Sequence, residues 1–139
     1  MKMFTRTMMT KVLIIEDEAC LRQCLLIMLM AEGYEVVDAE DGSIGVDLAR
    51  IETPDIVICD LRMPRLNGDE VLNLLRRDPQ TQRIPFIFIS ADDLSVAPEP
   101  IKALGNQNFL QKPFSRNDLL AAIARNQSPL QQTMSTSAA

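Results

Sequence analysis

Apolar positions along this chain follow two distinct periods. Short runs at Val12–Ile15, Tyr34–Val37, Ile56–Cys59, Ile84–Ile89 and Asn108–Gln111 read as strands, the third and fourth nearly all apolar. A strand without polar alternation suits a parallel sheet covered on both faces. Between the runs, apolar residues recur every three or four positions, which predicts helices over Ala19–Ala31, Ser43–Ile51, Gly68–Arg77, Glu99–Leu104 and Arg116–Gln127. Strands alternating with helices imply an α/β domain with right-handed crossovers.

Local chemistry punctuates this pattern. Asn67 with Glu70, and Ser115 with Asp118, have the spacing of capping boxes at helix starts. Gly33, Gly105 and the Asp41–Gly42 pair mark ends and turns, and Pro54 separates the second helix from the third strand. Pro98 and Pro100 fit only a first helical turn, where an N–H is not needed. The fourth helix is therefore expected to be short, with Ala91–Ala97 as a long, mobile loop. The domain is expected over residues 11–127. Residues 1–10 form an arm, and the uncharged Ser/Thr/Gln/Ala-rich stretch 128–139 is a disordered end or the start of a linker.

Composition narrows the function classes. A chain of 139 residues suffices for one domain with a sizeable core. Its net charge of −5 disfavours direct binding to nucleic acid or to an anionic membrane surface. Histidine is absent, which excludes Ser-His-Asp and Cys-His catalysis and a phosphohistidine carrier. Cys20 and Cys24, four apart in an apolar stretch, are expected as buried reduced thiols, and Cys59 as a small hydrophobe beneath the strand ends. Leu21, Leu25 and Met28 are expected in the core. Leu26, Ile27 and Met30 extend the apolar surface of the same helix, to be covered by the arm or by a partner. No signal peptide is visible in Met1–Thr10, and Cys20–Ala31 is too short to span a bilayer, so a cytoplasmic location is expected.

The candidate chemistry lies at the strand ends. The first strand runs into Glu16-Asp17-Glu18, the third into Asp60, the fourth into Ser90 and the fifth into Lys112. In an open parallel sheet these ends share one rim, where ligands bind. Three carboxylates together repel one another unless a cation joins them, and Mg²⁺ suits a site with few protein ligands and several waters. One such cation and Lys112 balance Glu16, Asp17 and Asp60 to neutrality. A carboxylate can also act as nucleophile toward a phosphoryl group. Each residue alone has a plainer reading: Asp60 as an ordinary strand-end acid, Glu16-Asp17-Glu18 as favourable charges at a helix N-terminus, Ser90 as a turn residue, Lys112 as a solvated lysine.

Taken together, Val12–Asp17 with its acidic pair, Asp60-Leu61-Arg62-Met63-Pro64 with Gly68, Ile89-Ser90-Ala91 and Phe109-Leu110-Gln111-Lys112-Pro113-Phe114 resemble the receiver domain of bacterial two-component response regulators, over roughly Lys11 to Gln127. The resemblance implies a flavodoxin-like sheet of order 2-1-3-4-5. It implies Asp60 as phosphoacceptor, with Asp17 and Asp60 binding Mg²⁺ directly. Glu16 would assist through water, and the backbone carbonyl of Arg62 would be a further ligand. It makes Ser90 and Phe109 the switch pair, sets Lys112 against the phosphoryl group, and implies a cis Lys112–Pro113 bond. The partners it implies are a histidine kinase or histidine phosphotransfer protein and a downstream protein target, with a homodimer open. Glu16 stands where the family commonly has Asp, Phe109 stands where Tyr is frequent, and Pro98 and Pro100 alter the fourth helix, which puts the usual dimerisation mode in doubt. Arg62 and Asp92 lie where the family tunes the lifetime of the phosphorylated state, and they are expected to meet over the site. Three other readings stand beside this one: a nucleotide- or flavin-binding protein, disfavoured by the phosphate-repelling Glu-Asp-Glu-Ala loop; a phosphorylation-independent interaction module; and the receiver part of a longer regulator.

Overall fold

The computed structural model describes residues 9–127. Five strands, β1 (Lys11–Ile15), β2 (Glu35–Ala39), β3 (Ile56–Asp60), β4 (Phe86–Ser90) and β5 (Phe109–Gln111), form one parallel sheet in the order β2-β1-β3-β4-β5. The helices between them are α1 (Ala19–Ala31), α2 (Gly42–Glu52), α3 (Gly68–Arg76), α4 (Glu99–Leu104) and α5 (Arg116–Asn126). The fold is the expected flavodoxin-like one.

Successive side chains on a strand point to opposite faces, and the core divides accordingly. Leu13, Ile15, Val57, Cys59, Phe86 and Phe88 pack with residues of α2, α3 and α4. Val12, Ile14, Ile56, Ile58, Ile87 and Ile89 pack with Leu25 and Leu29 of α1 and Leu119, Ala122 and Ile123 of α5. Each Ile or Phe so enclosed contributes about 1.5–3 kcal/mol relative to exposure, so both helical layers are held chiefly by the three central strands.

Several boundaries differ from the expected ones. β2 continues to Asp38 and Ala39 because they pair in register with Ile14 and Ile15. On this edge strand Asp38 is only half-buried. β4 starts at Phe86, since Ile84 closes a turn onto Thr81 and Pro85 has no N–H to give the ladder. The Ala91–Ala97 segment is not featureless: it holds a 3-10 turn, Leu94–Val96, in which the Asp93 carboxylate accepts the Ser95 N–H at 2.6 Å. Pro98 caps α4 and Pro100 lies in its first turn, as expected. At α5 the Ser115–Asp118 capping box is reciprocal, and at α3 Glu70 accepts the Asn67 N–H at 2.9 Å.

Helix α1 corrects the cysteine reading. Leu25 and Leu29 take the core positions, and Leu21 and Met28 are half-buried against them. Cys20 and Cys24 fall on the helix flank and are exposed free thiols, whereas Cys59 is buried. Ile27 is 65% and Met30 58% exposed. Residues 1–8 and 128–139, which carry the expected arm and tail, lie outside the described residues. No helix among the described residues is long and apolar enough to cross a membrane.

Gly68 brings α3 against the end of β3. Its N–H donates to the Leu61 carbonyl at 2.8 Å, and a Cβ there would meet the Asp60 carbonyl oxygen at 2.6 Å and Leu61 Cα at 2.9 Å. Those atoms are backbone and cannot swing aside. Gly68→Ala is expected to cost about 2 kcal/mol through overpacking, read as a lower urea midpoint with an unchanged slope. An unchanged midpoint would show that α3 does not press on this loop.

Candidate functional site

The strand order reverses between β1 and β3, which places their carboxyl ends side by side on one rim. β1 delivers Glu16 and Asp17 there, and β3 ends on Asp60. One carboxylate oxygen from each of the three lies within 4.8 Å of the others. From beyond β5, Lys112 Nζ reaches Glu16 Oε1 at 3.2 Å and Asp60 Oδ2 at 3.5 Å. Ser90, at the end of β4, is buried, and its Oγ accepts the Asp92 N–H at 3.1 Å.

The carboxylates differ in their surroundings. Glu16 is fully enclosed, Asp60 nearly so, and Asp17 is exposed. Burial raises the Glu16 carboxyl to about 7; the Glu18 N–H, donating to it at 3.0 Å, and Lys112 oppose that rise, while Asp60 adds to it. Burial also raises Asp60, against the pull of Lys112. For Lys112, burial disfavours the charge, but the facing Asp60 and Glu16 outweigh it and hold the ammonium above the ordinary lysine value. A carboxyl raised in the folded state binds protons more readily there than in the unfolded chain, so ionising Glu16 at neutral pH costs folding free energy. The three carboxylates exceed the one ammonium, and oxygen donors at this spacing fit a hard divalent cation.

A second group of residues surrounds this centre. Arg62 Nε meets Asp92 Oδ2 at 2.5 Å, joining the loops after β3 and β4 as expected. The Arg62 N–H lies 3.4 Å from Asp60 Oδ1. Phe109 is buried in the core cluster with Phe88 and Ile101, and the Lys112–Pro113 bond is cis. Beneath the rim, the Cys59 thiol lies 3.3 Å from the Asp60 carbonyl oxygen, and burial pushes it well up, which marks it as packing. Beside the rim, a groove of about 480 Å³ is lined by Glu18, Cys20, Cys24, Lys112 and Phe114 among others.

Sequence reasoning missed Arg22 and Asp38. Arg22 donates through Nη1 to the Glu16 carbonyl at 2.8 Å and through Nε to Asp38 Oδ2 at 3.1 Å. A signal was available, because Arg22 is the one charged residue of α1.

Comparison with known proteins agrees with this geometry. Residues 12–124 match the model of the response regulator receiver domain. Protein PilH of Pseudomonas aeruginosa is 36% identical over 115 residues, 83% of this chain and 95% of PilH. The transcriptional regulatory protein PdtaR of Mycobacterium tuberculosis is 40% identical over 81% of this chain, which spans about half of PdtaR's length (54%). The chemotaxis protein CheY4 of Vibrio cholerae superposes with a TM-score of 0.75 at 32% identity, over 84% of this chain and 98% of CheY4. The receiver domain of sensor histidine kinase PA1611 from P. aeruginosa superposes with a TM-score of 0.76 at 28% identity, over 84% of this chain and 96% of that one, and holds a magnesium ion in its active-site cleft. A family match over most of the chain, joined to a five-stranded sheet of order 2-1-3-4-5 and an acidic rim, establishes that this chain belongs to the response regulator receiver domains of two-component systems.

Proposed function

We propose that the chain is a phosphorylatable switch in which Asp60 accepts a phosphoryl group from a histidine kinase or a histidine phosphotransfer protein. The observation that carries this reading is Lys112 Nζ standing between Glu16 and Asp60 at 3.2 and 3.5 Å, beside a carboxylate cluster it does not neutralise alone.

Glu16, Asp17 and Asp60, with the backbone carbonyl of Arg62, would hold Mg²⁺. When bound, the ion supplies positive charge for the phosphoryl oxygens. An Asp60 carboxylate oxygen attacks phosphorus; the new O–P bond replaces the P–N bond of the donor phosphohistidine, and the imidazole nitrogen leaves with the pair and takes up a proton. Lys112 neutralises a phosphoryl oxygen, a contact that positioning-dominated phosphoryl transfer requires. The Ser90 hydroxyl is the second donor near the new charge. Ser90 and Phe109 would then act as the switch pair that carries the change toward the surface of α4 and β5 and on to a protein target. Nucleic acid has no direct part in this reading. Hydrolysis of the acyl phosphate resets the switch.

Incubation with acetyl phosphate tests this. Intact mass is expected to rise by one phosphoryl group when Mg²⁺ is present, and not at all in Asp60→Asn; an equal gain in that variant would overturn the assignment of Asp60.

The Arg62–Asp92 pair joins the loops after β3 and β4, and on this reading it would restrict attacking water. Its partners are 68% and 41% exposed, so its contribution to stability is small, under about 1 kcal/mol. Arg62→Ala and Asp92→Ala are therefore expected to leave the urea midpoint nearly unchanged and to shorten the acyl-phosphate lifetime several-fold, measured by loss of the phosphorylated mass after the donor is removed. Unchanged lifetimes in both variants would refute the role.

A further inference from the structure

We propose that Arg22 is a positioning residue for the cation site: through the Glu16 carbonyl it fixes the peptide from which Asp17 projects. The proposal rests on the reading of the cleft given above and adds a residue to it.

Arg22 brings a positive charge toward a place built for a cation, which is electrostatically adverse. The adverse part is cancelled on the spot, because Nε pairs with Asp38 Oδ2 at 3.1 Å in a setting where the Arg22 side chain is only 13% exposed. What remains is the hydrogen bond from Nη1 to the Glu16 carbonyl oxygen at 2.8 Å. That carbonyl belongs to the planar peptide joining Glu16 to Asp17, so holding its oxygen sets the plane on which the Asp17 Cα lies. Asp17 is exposed, and packing does not place it. Glu16 is tied independently, through its own N–H to the Ala39 carbonyl at 3.1 Å and through its carboxylate to the Glu18 N–H and Lys112. Arg22 thus spans from the acidic loop to the end of β2, and its own N–H donates to the Glu18 carbonyl at 3.0 Å. The loop is held from both sides by one helix residue.

The sign of one measurement separates positioning from charge. Removing a cation near a metal site tightens Mg²⁺ binding if only the field matters. If Arg22 positions the loop, removing it weakens binding, and loss of an outer partner typically costs 10–100-fold in affinity. Calorimetric titration of the full chain with MgCl₂ is expected to show about tenfold weaker binding for Arg22→Met. Arg22→Lys should be intermediate, since one ammonium cannot serve both acceptors in the fixed fork that a guanidinium provides. Arg22→Met with Asp38→Asn restores the charge balance and should stay as weak as Arg22→Met alone. Binding by Arg22→Met that is unchanged or tighter would overturn the proposal, as would recovery in the double variant.

Amide exchange in chelator gives a readout that needs no metal. Asp17 and Glu18 N–H groups are expected to exchange faster in Arg22→Met than in the native chain, with the β3 amides unaltered. If the native chain bound no Mg²⁺, the reading of the cleft would fall, and Arg22 would be judged on exchange: equal rates at Asp17 and Glu18 would overturn its role.

Discussion

Glu16 is enclosed beneath the rim of the sheet, Asp60 is nearly as deep, and among the described residues the ammonium that touches both is that of Lys112. Three carboxylates against one lysine, two of the acids buried and only Asp17 exposed, make a charge imbalance that the fold holds in place by the packing of its central strands. Both buried acids are raised by burial, and Lys112 is held charged by facing them. Such a site responds to added charge in either direction. A divalent cation would relieve it, and under the proposed function a phosphoryl group on Asp60 would load it again and give Lys112 and Ser90 reason to move.

The sheet makes this imbalance possible. Because the order reverses between β1 and β3, the acidic pair and Asp60 meet without a long loop to carry either. Gly68 then lets α3 start directly against Asp60 and Leu61, leaving little slack in the backbone at Asp60. On the other flank, Arg22 and the Ala39 carbonyl hold the peptide groups of Glu16. Asp60 and the acidic pair are therefore held from opposite sides of the cleft.

Much of this was legible in the sequence, for physical reasons that differ by element. β3 and β4 are continuous apolar runs because both faces are covered, and the strand-end residues Glu16, Asp17, Asp60, Ser90 and Lys112 converge once the sheet is parallel. The reach of β2 into Asp38 was not legible, because pairing with β1 overrides the polarity of an edge residue. Cys20 and Cys24 misled because a helix with a single charge looks buried all round, while only Leu25 and Leu29 face the core fully. Arg22 escaped notice because its partners, the Glu16 carbonyl in the loop after β1 and Asp38 of β2, are brought together only by the fold, and its standing as the one charge of α1 does not name them.

Thermal unfolding of the native chain and Asp60→Asn, each in chelator and in Mg²⁺, tests the imbalance most directly. In chelator Asp60→Asn is expected to melt higher than the native chain, because it removes one repelling charge from the cluster. Mg²⁺ at about a hundred times its dissociation constant should then stabilise the native chain by about 2.7 kcal/mol and the variant by much less. A variant that melts lower in chelator, together with a native chain indifferent to Mg²⁺, would contradict a cleft governed by unbalanced carboxylates.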